Sequence, residues 1–167
     1  EELKQFLAPF ITRIKNSRVK NNPKIVRGNF SIDEQTEFIK EVARKIGFDF
    51  DTGCMSVSSH PFCTSFHTTD VRITTRFDTH NALYALGSVI HEAGHALYEQ
   101  GILPENFGTP LGESVSLGIH ESQLRLWEKI VGQSLPFWRH FYPLIKKTFP
   151  RPFAKVSLDD FYKNYQK

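Results

Sequence analysis

The sequence predicts a mainly helical fold with a small amount of strand. Three observations carry that prediction. Apolar residues recur at helical spacing through most of the chain, helix-starting and helix-ending residues fall at the ends of those runs, and only residues 70–77 are both β-branched and alternating.

Leu3, Phe6, Leu7, Phe10, Ile11 and Ile14 have helical spacing, with Pro9 expected to kink or restart the helix. Residues 16–30 are polar and turn-prone, with Asn21-Asn22-Pro23 and Gly28-Asn29. Ser31-Ile32-Asp33-Glu34 reads as a capping box. It opens a helix with Ile32, Ile39, Val42, Ala43 and Ile46 apolar, closed by Gly47. Residues 48–69 read as irregular. The run from Asp70 to Phe77 reads as a strand with Val71, Ile73, Thr75 and Phe77 on one face. Asn81 to Gln100 reads as a largely buried helix ended at Gly101. Pro104, Gly108, Pro110 and Gly112 then break the chain. A second apolar helix is expected from about Glu113 to Val131, stopping at Gly132. Ser134 is placed to cap a helix through Phe149, and Ser157-Leu158-Asp159-Asp160 to start a last one.

Composition narrows the function. With 167 residues, 40% hydrophobic and 13% aromatic, the chain is about one domain long and can bury a real core. A formal charge of +3 is a weak attraction for polyanions, and the bases of the C-terminal third read as a solvated helix face, so no nucleic-acid partner is expected. No run of about 18 apolar residues exists to span a membrane. Cys54 and Cys63 form neither a disulfide framework nor a paired zinc-thiolate motif, which fits reduced thiols in the cytoplasm. The chain shows no signal peptide and no starting Met, which fits a processed product or a piece of something longer.

The chemistry lies in His91-Glu92-Ala93-Gly94-His95. Two histidines four apart on a helix share a face, and both imidazoles can reach one Zn²⁺ at about 2.0–2.1 Å. Glu92 lies between them, placed to accept a proton from a zinc-bound water whose pKa falls toward about 7. Such HExxH pentads also occur by chance in ordinary helices. Here the surrounding helix is apolar (Leu83, Leu86, Val89, Ile90, Ala93, Leu97), and unpaired polar groups in it would be costly. A catalytic zinc needs a third protein ligand. Glu121 is the candidate, with Glu113 in competition. A continuous helix would carry Glu121 about 39 Å from His95, so the Gly/Pro breaks between 101 and 112 are expected to fold the chain into a helical hairpin.

Four motifs now stand in order: His60-Pro61-Phe62, Asp70-Val71-Arg72-Ile73-Thr74, the HExxH at 91–95, and His120-Glu121-Ser122-Gln123. With their flanks, including Leu111 to Gly118 and Ser122 to Glu128, the chain resembles the carboxypeptidase Taq family of zinc metallocarboxypeptidases over roughly residues 28–167. The resemblance implies a mainly α fold with a small antiparallel β-sheet beside the HExxH helix, a zincin-like arrangement completed by a second, ligand-bearing helix. It implies one Zn²⁺ per chain held by His91, His95 and Glu121, with Glu92 as general base. It also implies removal of C-terminal residues from peptide substrates with broad tolerance, and a homodimer for the full-length protein. Family chains are about three times longer, so residues 1–167 are expected to be one catalytic-core segment of a longer helical metallopeptidase. The family's arginine for the substrate's terminal carboxylate is expected beyond Lys167.

Three further residues keep two readings each. His60 either donates to substrate in the cleft or caps a loop. Arg72 either touches substrate or pairs with Asp70, two residues away on the same strand face. His120 either contacts the reacting group or supports the ligands from behind. The competing view of the whole chain is a truncated, catalytically silent module that binds zinc or only folds.

Overall fold

The computed structural model describes residues 1–17 and 22–165. Residues 18–21, within the expected turn-prone stretch, lie outside the described residues.

Helix α1 (Glu2–Lys15) runs unbroken through Pro9 and does not restart there. The proline removes one hydrogen-bond donor, and the rungs on either side hold the helix together. Every residue of α1 is exposed, and its apolar stripe, including the stacked rings of Phe6 and Phe10, meets solvent.

Helix α2 (Ile32–Ile46) has both of its expected ends. Ser31 Oγ accepts from the Glu34 backbone N–H at 3.1 Å and lies 2.9 Å from the Glu34 carboxylate. Gly47 closes it at φ 112°, a left-handed conformation that a side chain would strain. Its inner face, Phe38, Ile39, Val42 and Ala43, is buried together with Gln35, whose amide donates to the carbonyls of Phe30 and Asp78.

The stretch expected to be irregular contains two strands, β1 (Gly53–Val57) and β2 (Cys63–His67), ahead of β3 (Asp70–Thr75). The sheet order is β1-β3-β2. It is a mixed sheet and not the purely antiparallel one expected: β1 runs parallel to β3, and β2 antiparallel to it. The cause is the position of β3, which inserts between the two earlier strands. A short turn at residues 68–69 makes β3 antiparallel to β2, and β1 pairs in parallel along the other edge of β3. Val71, Ile73 and Thr75 are buried on β3, whereas Phe77 lies past its end and is half-buried. A Cβ on Gly53 would sit 2.6 Å from both the Phe48 ring and the Val71 carbonyl oxygen, so that strand start accepts only glycine at this spacing.

Helix α3 (Ala82–Gln100) is the central element. It lies against β2 and β3, against α2, and against the chain that follows it. Asn81 accepts from the Leu83 N–H, and Gly101 ends the helix. Two 3-10 turns, Pro104–Asn106 and Pro110–Gly112, reverse the chain at the expected breaks. The next helix starts later than expected. Glu113 and Ser116 have extended backbones, and Ser116 Oγ accepts from Ile119 N–H, so α4 spans Leu117–Arg125. It then widens into a π-helical segment, Leu126–Val131, where Gly132 N–H reaches back five residues to the Trp127 carbonyl at 2.7 Å.

Helices α5 (Leu135–Thr148), α6 (Pro150–Phe153) and α7 (Leu158–Tyr165) complete the described fold. Ser134 and Ser157 cap α5 and α7 through the Phe137 and Asp160 N–H groups. The core is aromatic. Trp138, Phe149, Phe153 and Phe161 are buried with Phe30 and Phe38, mostly in edge-to-face pairs. This core and the sheet fix α3 from two sides, which sets where its histidines point. No helix among the described residues is long and apolar enough to cross a membrane.

Candidate metal centre

Three of the site residues come from α3, because a spacing of four stacks His91 and His95 on one face. Their ring centres lie 5.6 Å apart. The fourth comes from α4, and a glycine inside the pentad brings it close. A Cβ on Gly94 would lie 2.5 Å from Leu124 Cα, so the two helices approach at backbone distance. Glu121, one turn before Leu124, then faces His95, with Oε2 3.9 Å from Nε2. Glu113, the competing candidate, lines a different cavity beside His67, Glu99 and Phe107.

The carboxylate of Glu121 is divided between two partners. Its Oε1 is held by Arg125 at 2.9 and 3.1 Å, while Oε2 is the oxygen toward His95. Arg125 also reaches Glu128 at 3.2 Å. Glu128 in turn sits 2.9 Å from His91 Nδ1.

Burial shapes the protonation of the site. Glu92 is buried, and loss of water raises its pKa. The neighbouring imidazoles of His91 and His60 pull it back, and the Glu121 carboxylate adds to the rise. His95 is pushed down to about 4, first by burial and then by the proximity of His120 and His91. It is therefore neutral at physiological pH, with a lone pair to offer. Its Nδ1 is buried without a hydrogen-bond partner.

The remaining candidates are spread around this centre. His60 lines a cavity of about 340 Å³ together with His91, Glu92 and Glu128. His120 stacks on His95, ring centres 4.4 Å apart, and its Nε2 lies 2.8 Å from Glu99. Arg72 makes a two-pronged bond to Asp70 at 2.8 and 2.9 Å and lies over the Phe66 ring, on the exposed side of the sheet.

Among the described residues no three His, Cys, Asp or Glu side chains close into one metal-binding group. The donor set nevertheless fits zinc. Two donors about 2.0–2.2 Å from one ion at a tetrahedral angle lie about 3.4 Å apart. The 3.9 Å between His95 Nε2 and Glu121 Oε2 is within side-chain adjustment of that. The chemistry of the donors agrees: a neutral imidazole, a second imidazole one turn away, and a carboxylate oxygen free of the arginine.

Sequence reasoning missed Glu128 and Glu99, the acidic partners of His91 and His120. Glu128 was detectable, since it stands seven residues after Glu121 and so on the same helix face. Glu99 was not, because its partner lies across the hairpin.

The model of the family described as carboxypeptidase Taq (M32) metallopeptidase matches residues 1–167. A thermostable carboxypeptidase 1 of Thermus thermophilus is 41% identical over 163 residues, 96% of this chain and 31% of that protein. A carboxypeptidase 1 of Bacillus subtilis is 37% identical over 160 residues, covering 96% and 32%. The solved structure of CHT superposes with a TM-score of 0.93 at 43% identity, over 99% of this chain and 34% of that one. The chain thus spans about a third of the length of the curated relatives it matches. With a family model covering its whole length and a solved fold this similar, the chain belongs to the carboxypeptidase Taq (M32) metallopeptidase family.

Proposed function

We propose that this chain is the catalytic-core segment of a longer zinc metallocarboxypeptidase that removes C-terminal residues from peptides with broad side-chain tolerance. The observation that carries this reading is the approach of Glu121 Oε2 to His95 Nε2 at 3.9 Å, next to the buried Glu92. His91, His95 and Glu121 would hold one Zn²⁺, which when bound polarises the scissile carbonyl and acidifies the attacking water.

The chain's own groups do the rest. Glu92 takes the proton of the attacking water on a carboxylate oxygen and later gives it to the leaving amine. A carboxyl group whose pKa is raised by burial suits both steps, because it holds the proton between them. His60 lines the cavity beside Glu92, where it can donate to substrate, and His120 stacks on His95 with its Nε2 against Glu99. Arg72 and Arg125 are both engaged with carboxylates. In keeping with the family resemblance, the cation that pairs the substrate's terminal carboxylate is assigned to the rest of the longer protein, which would act as a homodimer in the cytoplasm.

The test uses the whole-length protein and its Glu92→Gln variant on a short peptide with a free C-terminus. The amide cannot accept a proton, so turnover should fall by about 10²–10⁴-fold while zinc content stays unchanged. Turnover near the wild-type rate would remove Glu92 from the mechanism.

A further inference from the structure

We propose that Glu128 is the positioning residue of His91: it accepts the Nδ1 proton and so presents the Nε2 lone pair to the metal.

The argument starts from the imidazole's two nitrogens. A neutral imidazole carries one proton, and the hydrogen bond at one nitrogen decides which atom is left to coordinate. His91 Nδ1 lies 2.9 Å from Glu128 Oε2. An ionised carboxylate only accepts, so the shared proton belongs to Nδ1 and the lone pair to Nε2. Glu128 is itself fixed. Lys129 Nζ lies 2.7 Å from its Oε1, and Arg125 reaches its Oε2 at 3.2 Å. With two cations on its oxygens, this carboxylate is the acceptor in its bond with His91. Arg125 also grips Glu121 Oε1 at 2.9 Å. A single guanidinium therefore ties the ligand carboxylate to the positioning carboxylate, and α4 and the π-helical segment address His95 and His91 together.

The contrast with His95 sharpens the assignment. Its Nδ1 is buried and has no hydrogen-bond partner, so no such bond selects its tautomer. Of the two imidazoles in the pentad, only His91 has a carboxylate behind it among the described residues. The location agrees, since Glu128 lies in the π-helical segment Leu126–Val131, and such wide turns recur at functional sites.

The metal half of this inference rests on the zinc reading, and the tautomer half does not. The first experiment therefore uses the metal-free chain at about pH 9, well above the ordinary imidazole value of about 6.5. Imidazole ¹⁵N NMR should show wild-type His91 protonated at Nδ1. Glu128→Ala should lose that preference, and Glu128→Gln, whose amide oxygen can accept the same proton, should keep it. The second experiment measures the zinc dissociation constant by competition with a chromophoric chelator. Glu128→Ala should bind zinc about 10- to 100-fold more weakly, and Glu128→Gln should recover most of that loss. Wild-type His91 protonated at Nε2 overturns the proposal without any variant, even if Glu128→Ala fails to fold. Zinc binding by a folded Glu128→Ala within twofold of wild type overturns its metal half. A wild-type chain that binds no zinc overturns the proposed function instead, while the tautomer measurement still decides what Glu128 does.

Discussion

Cys63 is a thiol that burial keeps protonated beside the site. It lies on β2, and burial pushes its thiol up to about 12, aided by the carboxylates of Glu92 and Glu99. A thiol with its pKa raised this far is almost wholly protonated at neutral pH, and the thiolate is the reactive form. Cys54 is exposed, and neither cysteine is in a disulfide. Alkylation of the native chain at neutral pH should therefore modify Cys54 and leave Cys63 untouched, with both modified once the chain is denatured. Mass spectrometry reads the outcome directly. Rapid modification of Cys63 in the folded chain would mean that this side of the site is open and less charged than described. At the same scale, the pentad was legible in the sequence because a spacing of four is a local rule. Glu128 needed the further step of following the Glu121 face for two turns, and Glu99 needed the hairpin itself.

At the level of elements, the contact of α3 with α4 is what assembles the site. Gly94 permits it, since the Cβ of any other residue would meet Leu124 Cα at 2.5 Å, a backbone atom that cannot move aside alone. Gly94→Ala should push α4 outward and cost about 1–3 kcal/mol, the usual range for overpacking. Thermal unfolding would show it as a lower midpoint, and zinc affinity should fall with it as Glu121 leaves His95. An unchanged midpoint would mean that the helices are not in backbone contact. Elements with local end signals were readable: α2 between Ser31 and Gly47, and α3 between Asn81 and Gly101. Those that depend on distant partners were not. β1 and β2 are only five residues each and lack an alternating β-branched run, and they exist because β3 pairs with each. The mixed direction of the sheet is likewise a property of strand order. The π-helical segment is defined by bonds reaching back five residues, for which its composition gives no cue.

Over the molecule, apolar side chains stay exposed in several places among the described residues, and two of these are runs of neighbours. The stripe of α1, Leu3, Phe6, Phe10 and Ile14, is exposed, as are Leu111, Val115 and Leu117 before and at the start of α4. Large exposed apolar patches mark association surfaces. In solution the 167-residue chain should self-associate, with a sedimentation coefficient that rises with concentration. A monodisperse monomer at all concentrations would show that these side chains are tolerated in water. The central claim, that His91, His95 and Glu121 of this one chain bind zinc while Glu92 serves the chemistry, meets its most direct test in metal content. Zinc per chain should be measured for the wild type, His95→Ala and Glu92→Gln after equilibration with the metal and removal of the excess. The account predicts about one zinc in the wild type and in Glu92→Gln, and none in His95→Ala, as expected for a site that needs three protein ligands. Wild-type zinc content in His95→Ala would contradict it.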